Sequence, residues 1–389
     1  MMLTSTILTN LKITDMSRID PTFATEIKKY GAKDFTACFN CGNCTAVCNL
    51  TDKNANFPRM FIRQGMLGQK EEILQSKELW LCYACGDCTE TCPRQAAPGD
   101  YMAALRRYAI ASYEPTGITR LMFKSNPLYV ILTLVVAVML GFFLFTLKPD
   151  HEVSRWLFSL LPYAVIHNMG LVIFSLTGLS MIWGIAVMFF KLRKNVVKDD
   201  KSKGNSWKSW KEVITEIATL NRYKTCDTEE DSYWNKKKWY VQPWFVHWSI
   251  MWGFIGLLLA TVLDFILKDP EATIWWPSRI LGTIAGLFMI YGATLAINYR
   301  WKKVTKSYSE TRLADWVFLW FLWIAGITGF WLELSVAFNA DLLINHIVFT
   351  IHTIISMELV LLFAFSKFAH AMYRPLALYF YFRESPAKS

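Results

Sequence analysis

The chain has 389 residues, of which 53% are hydrophobic and 15% aromatic, and its formal net charge is +10 at pH 7. Much of the positive charge lies between long apolar stretches, and no basic domain carries interleaved aromatic residues, so nucleic-acid binding is not expected. No glycine-rich dinucleotide fingerprint follows a predicted strand, and no Ser-His-Asp constellation is evident. Flavin or nicotinamide binding and hydrolase chemistry are therefore not expected of this chain.

Eight of the nine cysteines form two runs with the identical spacing Cys-x-x-Cys-x-x-Cys-x-x-x-Cys. This spacing binds [4Fe–4S] clusters in bacterial ferredoxins, where the fourth cysteine ligates the cluster of the other run. The predicted ligands are Cys38, Cys41, Cys44 and Cys92 for cluster I, and Cys82, Cys85, Cys88 and Cys48 for cluster II. Disulfides would need an oxidising compartment, and zinc sites commonly use pairs of Cys-x-x-Cys, so both alternatives are disfavoured. Asn49 follows the first run where Pro93 follows the second, and Cys226 is expected to be a free thiol.

The segment between the two runs is predicted to be helical. Its apolar residues recur at intervals of three and four rather than alternating, as in Ile73, Leu74 and Leu79. This pattern favours an α-helical ferredoxin domain over a compact domain of β-hairpins, and we assign it to residues 1–115. The first 30 residues contain no apolar stretch of the signal-peptide kind.

The remaining residues, 116–389, are predicted to form a six-span membrane domain. Six apolar stretches are long enough to cross a bilayer. They comprise residues 127–147, 161–190, 241–267, 279–299, 313–334 and 343–372. The fold class expected is therefore all-α, with a ferredoxin-like head followed by a transmembrane bundle.

The distribution of basic residues predicts the topology. Thirteen lysine and arginine residues lie in the loop 191–240 and five in 300–312, whereas the opposite loops are sparse. The positive-inside rule places the basic loops, the iron–sulfur head and both termini in the cytoplasm, with the spans in the cytoplasmic (inner) membrane. The stretch 194–211 is expected to contact anionic membrane lipid or a partner, with a solvated surface as the alternative.

The histidines within the spans predict haem b, which takes two neutral imidazoles from facing helices at the same depth. His247 and His370 both lie just inside the cytoplasmic ends of their helices, and we expect them to hold one haem near the clusters. His167 and His352 lie toward the outer ends and could hold a second haem. In a continuous last helix, His352 and His370 would share one face, about 27 Å apart at 1.5 Å per residue. His346 is expected to be interfacial or hydrogen-bonded to the backbone.

Two parts of the chain resemble known families. Residues 38–93, including Leu79-Trp80-Leu81-Cys82 before the second run, resemble HdrC, the iron–sulfur subunit of heterodisulfide reductase. Residues from about 121 to 382, with the 18-residue spacing from His352 to His370, resemble HdrE of that enzyme and the γ subunit of respiratory nitrate reductase, a haem b family. The fusion of both parts resembles QmoC, the membrane subunit of the quinone-interacting membrane-bound oxidoreductase complex of sulfate reducers. One departure is Leu257, which stands where the nitrate reductase family carries a second histidine ten residues after the first.

This resemblance implies a respiratory electron-transfer subunit with menaquinone as its substrate. Electrons would pass from menaquinol through haem b to the two clusters, then to QmoA-like and QmoB-like flavin and iron–sulfur subunits and on to APS reductase in sulfate reduction. The quinol site would lie against the outer haem, walled by the second, third and sixth spans. Glu358 is the candidate proton relay there, or alternatively pairs with a neighbouring polar group.

Two alternatives remain. The first is a heterodisulfide reductase-like or DsrM-type membrane subunit that exchanges electrons between another membrane carrier and a cytoplasmic thiol/disulfide reductase. The second is a transporter or sensor that uses the clusters as a redox switch. The second would show charged or broken helices at the midplane or an appended signalling domain, and neither is evident in the sequence.

Overall fold

Helices form almost all of the regular structure. In this computed structural model, the residues described are 19–53, 55–147, 156–196, 205–226, 233–267 and 275–384. Within these ranges there are seventeen α-helices and no strand, only one isolated bridge between Asp52 and Ala55. The predicted all-α class is confirmed.

Seven helices form the head. They are α1 (Phe23–Lys29), α2 (Asn43–Ala46), α3 (Arg59–Met66), α4 (Lys70–Leu74), α5 (Glu78–Leu81), α6 (Asp87–Glu90) and α7 (Pro98–Tyr113). Fully buried aromatic side chains hold them together, and Phe35 stacks on Tyr101 with ring centroids 4.6 Å apart. The Tyr101 hydroxyl donates to the carbonyl oxygen of Phe61 at 3.0 Å. A glycine is required at position 65, because a Cβ there would lie 1.8 Å from that hydroxyl.

Six long helices follow the short connecting helix α8 (Ile118–Lys124). They are α9 (Asn126–Thr146), α10 (Tyr163–Val196), α13 (Pro243–Leu267), α14 (Pro277–Trp301), α15 (Leu313–Ala337) and α16 (Leu343–Leu361). All six are long and apolar enough to cross a membrane, so the chain is a multi-pass membrane protein as predicted. A helix of 25 residues spans about 37 Å, more than the roughly 30 Å of a hydrocarbon core.

Small residues allow α13 and α14 to pack closely. A Cβ at Gly253 would lie 2.6 Å from the backbone nitrogen of Met289, and one at Gly292 would lie 2.8 Å from the carbonyl oxygen of Val246. Close backbone approach through small residues is the usual way in which membrane helices associate.

The last predicted span, 343–372, is wrong at its C-terminal end. The helix does not continue to residue 372: α16 ends at Leu361, and a turn and a 3₁₀ segment (Lys367–Ala369) precede α17 (His370–Glu384). The Ser366 hydroxyl accepts from the Phe368 amide at 3.2 Å, and Lys367 forms a 2.7 Å ion pair with Asp315 of α15. These contacts hold the chain out of helical geometry. His352 and His370 therefore lie on different helices. The prediction that they share one face of a continuous helix, about 27 Å apart, is wrong.

The loop predicted at 191–240 is partly ordered against the head. Its described residues form α11 (Ser206–Thr219) and α12 (Asn221–Lys224), whereas 197–204 and 227–232 lie outside the described residues. Asn49 of the head donates to the carbonyl oxygen of Thr225 at 2.9 Å, and Lys191 pairs with Glu71 at the same distance. Much of the stretch 194–211 also falls outside the described residues. The division of the chain at residues 115 and 116 stays a prediction, since one continuous core joins the head to α10 and α17.

Candidate redox centres

The two cysteine runs fold into the same loop. In the first, Asn40 and Gly42 have positive φ values of 65° and 91°, and in the second Ala84 and Gly86 have 57° and 106°. Each loop is followed by a four-residue helix, α2 or α6. A non-glycine residue with positive φ is uncommon, so its recurrence at the same place in both runs indicates a backbone held in a required shape.

This shape directs backbone N–H groups at sulfur. The amides of Asn40 and Ala84 each donate to the Sγ atom of the cysteine two residues before them, Cys38 and Cys82, at 3.3 Å. The amide of Ala96 donates to Cys92 Sγ at 3.4 Å. Hydrogen bonds to cysteine sulfur are among the features by which a protein adjusts the potential of an iron–sulfur cluster.

Thiols of the two runs lie near one another. Burial raises the pKa of the Cys44 thiol to about 11, and the nearby thiols of Cys38, Cys41 and Cys92 act in the same direction. Burial likewise raises the pKa of Cys48 to about 11, and the thiols that add to this shift are those of Cys82 and Cys85. Burial also raises the pKa of Cys88, and the thiols that add to this shift come from both runs, namely Cys82, Cys85, Cys48 and Cys44. The fourth cysteine of each run thus lies near thiols of the other run, and the division into two ligand sets stays a prediction.

The surroundings of the second run are buried and cationic. Arg106 and Arg374 each donate to the Cys82 carbonyl oxygen at 2.7 Å, and Arg374 also donates to the Trp80 carbonyl at 2.9 Å. The Arg374 guanidinium lies 4.2 Å from the ring centroid of Tyr83. Because cluster II would carry negative charge from four thiolates, these two cations are placed to stabilise it.

His247 and His370 lie side by side in the interior, with ring centroids 6.2 Å apart and ring planes at 31°. A metal–imidazole bond of about 2 Å, with roughly 1 Å from nitrogen to ring centre on each side, gives about 6 Å between the centres of two imidazole rings that share one metal ion. His370 Nδ1 donates to the Lys367 carbonyl oxygen at 2.6 Å, which leaves Nε2 with its lone pair. His247 and His370 are therefore the residues that would hold a haem b.

Two tyrosines join the second cysteine run to this histidine pair. Tyr223 of α12 stacks on Tyr83 with centroids 4.8 Å apart and planes at 13°, and it contacts His247 edge-on at 5.9 Å. Tyr83 is the residue after Cys82, and its hydroxyl donates to Glu216 at 2.6 Å. Arg374 strengthens the connection, since it follows His370 by four residues on α17 and binds the Cys82 carbonyl.

The ninth cysteine also lies at this junction. The Cys226 thiol lies near that of Cys85 and donates to the carbonyl oxygen of Arg222, with Sγ 3.7 Å away. Sequence reasoning missed both Tyr223 and Cys226 as site residues. The basic composition of their loop indicates an exposed segment, and no spacing motif connects them to the cysteine runs.

The outer histidines have separate environments. His167 of α10 packs against Phe265 and Tyr163, with ring centroids 4.7 and 5.9 Å away. His352 Nδ1 lies 2.9 Å from the Thr328 hydroxyl. His346 contacts Asp341 at 2.9 Å near the end of its helix, in agreement with a structural role. The pairing of His167 with His352 stays a prediction.

Glu358, the predicted proton relay, is almost fully buried at 1% exposure. Among the described residues, its Oε1 atom has no hydrogen-bond partner. It does not line the cavity of about 250 Å³ that opens beside His352 between α13, α14, α15 and α16. Its role in proton transfer stays a prediction.

Comparison with known proteins gives separate matches for the cysteine-rich head and for the part of the chain that contains the membrane spans. Residues 124–388, more than half of the chain, match the family described as citrate utilization protein B. The chain belongs to the citrate utilization protein B family. Residues 37–97 match a 4Fe-4S dicluster domain, so this member of the family carries a [4Fe–4S] ferredoxin-type head.

The head is also similar to iron–sulfur subunits of heterodisulfide reductase. It is 31% identical over 109 residues to an HdrC-like protein of Archaeoglobus profundus, a match covering 26% of this chain and 58% of the relative. It is 37% identical over 73 residues to HdrC of the CoB–CoM heterodisulfide reductase of Methanopyrus kandleri, covering 19% of this chain and 38% of the relative. The chain thus spans less than two thirds of the length of these curated relatives. No solved structure matches the chain.

These matches confirm the predicted likeness of the head to HdrC. The chain thus joins a 4Fe-4S dicluster head similar to HdrC to six apolar helices that are long enough to cross a membrane. The resemblance of the whole fusion to QmoC has no counterpart in the matches and stays a prediction.

Proposed function

We propose that this chain conducts electrons between a quinone in the membrane and a soluble redox partner, through a haem b held by His247 and His370 and two [4Fe–4S] clusters. The observation that carries the proposal is the His247–His370 pair at 6.2 Å, in contact with Tyr223 and through it with the second cysteine run. Haem and clusters, when bound, supply one-electron redox chemistry. The residues of the chain would hold the haem and the two clusters one after another. They would also shield the haem and cluster II from water.

The electrostatics of the junction suit this role. The Lys367 carbonyl fixes the proton of His370 on Nδ1, so Nε2 points away as a ligand. Arg106 and Arg374 supply positive charge beside Cys82. Positive charge close to both centres favours their reduced forms over their oxidised forms.

The basic loops and the head lie on the same side of the bundle. In the connection between α14 and α15, the Lys306 amide donates to Glu90 of the head at 2.7 Å. Arg312 donates to the carbonyl oxygen of Lys29 at 3.2 Å. Because basic loops are usually cytoplasmic, we propose that the head faces the cytoplasm and that the spans cross the cytoplasmic membrane.

The identity of the electron donor and acceptor is part of the proposal. Following the resemblance to QmoC, electrons would come from menaquinol and leave cluster I for QmoA-like and QmoB-like subunits, with APS reductase as the final acceptor. The family description gives a second candidate, in which the soluble partner is an enzyme of citrate utilization. The two candidates share the same centres and differ in the soluble partner.

Metal content tests the proposal. Anaerobically purified protein should contain about eight non-haem irons and at least one haem b, measured by iron assay and pyridine haemochrome. His247→Ala and His370→Ala should each lose the haem and keep the eight irons, because the cysteine loops do not depend on either imidazole. His346→Ala is the matched control and should keep both. Full haem content in the His370→Ala protein would refute the assignment.

A further inference from the structure

The first cysteine run has an exposed edge to which no role has yet been assigned. Cys41 is the one exposed thiol among the described cysteines, and the Phe39 ring two residues before it is 59% exposed. A single exposed apolar side chain is common on protein surfaces. This ring, however, adjoins a predicted cluster ligand, so a protein that approaches Cys41 from solvent also meets the ring.

Arg59, at the start of α3, is held against the same loop. Its Nε donates to Asn40 Oδ1 at 2.8 Å, and its backbone amide donates to Thr45 Oγ1 at 3.3 Å. A Cβ at Gly42 would lie 3.2 Å from Arg59 Nη1, so the guanidinium lies close to the turn of the loop. Arg59 is nevertheless exposed. It therefore presents a positive charge to solvent at a defined place beside the first run.

Two further exposed arginines lie beside this run. Arg94 follows the last cysteine of the second run, and its Nε donates to the carbonyl oxygen of Ala37, directly before Cys38, at 3.5 Å. Arg63 follows Arg59 by four residues on α3, so the two side chains lie on the same face of that helix. Both Arg63 and Arg94 are exposed. Three arginines thus lie about the exposed edge.

Acidic residues of the head lie on its other sides. Three of them form ion pairs with lysines that follow the head in the chain, namely Glu26 with Lys124, Glu71 with Lys191 and Glu90 with Lys306, at 2.8, 2.9 and 3.3 Å. Asp34, which precedes the first run, is one of the charged groups around Asp100, together with Lys33 and Glu310. These carboxylates therefore face the membrane domain or the connection between α14 and α15.

The exposed edge itself carries charge of one sign. Residues 35–51, 55–70 and 91–99 contain no aspartate or glutamate, whereas all three arginines belong to them. Within the described part of the chain, neither Arg59 nor Arg63 nor Arg94 forms an ion pair with a carboxylate. Uncompensated positive charge of this kind attracts proteins with an acidic surface and orients them as they approach.

We propose that this edge, which comprises Phe39, Cys41, Arg59, Arg63 and Arg94 and is called the arginine edge below, binds the acidic face of a soluble electron-carrier protein. The proposal rests on the function proposed above, since it names the surface at which the soluble partner binds and the charge that the partner presents. Weak complexes between electron-transfer proteins bury less than about 1,200 Å², so a few arginines around one apolar ring are sufficient to orient the partner. Each encounter moves one electron between the partner's iron–sulfur or flavin group and the chain, and no bond forms or breaks.

Binding of an acidic ferredoxin tests the arginine edge without turnover. The ferredoxin is immobilised through a terminal tag and titrated anaerobically with the full-length protein in nanodiscs of neutral phospholipid, and non-haem iron is measured on the same samples. Wild-type affinity should fall about tenfold as salt rises, because the screening length shortens to about 8 Å at physiological ionic strength.

Charge reversal should weaken the same complex. Arg63→Glu and Arg94→Glu should each lower the affinity about tenfold at low salt, because a carboxylate then faces a carboxylate. Non-haem iron should be unchanged in Arg63→Glu, since among the described contacts Arg63 makes no hydrogen bond to the cysteine loop. Lys211→Glu is the matched control: it makes the same change of charge at an exposed residue of α11, outside the arginine edge, and should bind as the wild type does.

Two results would overturn the proposal. One is wild-type affinity in both Arg63→Glu and Arg94→Glu with full iron content, and the other is wild-type protein that binds no ferredoxin at low salt. Stopped-flow mixing of the wild type with reduced ferredoxin tests the function proposed above separately. If the cluster absorbance bleaches but no haem is present or reduced, that function is refuted and the arginine edge stands. If methyl viologen reduces the haem in protein whose ferredoxin binding is insensitive to charge reversal, the function stands and the arginine edge is refuted.

Discussion

The two cysteine runs share their spacing and their backbone, but they have different surroundings. In the first run Cys41 is exposed, and the neighbouring Phe39 is 59% exposed. In the second run Cys82 is buried beneath Arg106 and Arg374, and the tyrosine next to it leads to the histidine pair. We infer that cluster II exchanges electrons with the membrane domain and that cluster I exchanges them with the soluble partner.

Removal of one ligand from each run should separate these roles, and this is the largest effect we expect. Cys85→Ser and Cys41→Ser should each reduce non-haem iron from about eight to about four. With reduced methyl viologen as the soluble donor, haem reduction followed by stopped-flow absorbance should fall to background in Cys85→Ser. It should persist at a lower rate in Cys41→Ser, because cluster II still lies next to the haem ligands. Equal losses in the two variants would contradict the different roles.

The aromatic connection should have a smaller effect. Tyr223→Leu removes the stacking on Tyr83 and the contact with His247, so haem reduction by the same donor should slow several-fold. The lost ring contacts should also lower the free energy of unfolding by about 1 kcal/mol. Tyr223→Phe keeps both rings in place and is the matched control. If haem is reduced at the same rate in Tyr223→Leu and Tyr223→Phe, with intact haem and clusters in both, the ring of Tyr223 has no part in electron transfer.

The iron–sulfur head and the membrane spans could be predicted because each is encoded locally. The spacing within each run is sufficient to indicate cluster ligation, and the apolar stretches are long enough to identify six helices without knowledge of their packing. The proximity of His247 and His370 was also predictable, because both were expected near the cytoplasmic ends of their spans. Both imidazoles lie at the N-terminal ends of the helices that carry them, α13 and α17, so the break before His370 does not separate them.

The features that could not be predicted depend on distant contacts. No glycine or proline lies between residues 362 and 369, and the helix ends there because Lys367 reaches Asp315 and Ser366 caps the next segment. Tyr223 belongs to a basic loop that composition alone assigns to the surface. Only the folded arrangement brings it between Tyr83 and His247. The cavity beside His352 is likewise a product of four helices that no single segment specifies.

A cryo-EM map of the anaerobically purified protein would show the order of the redox centres, since cubane clusters and haem are strong, recognisable densities. We expect one haem between His247 and His370, with the cubane ligated by Cys82, Cys85, Cys88 and Cys48 as the nearer of two. A map with the cubane of the first run nearer to the haem, or with the haem bound elsewhere, would contradict it.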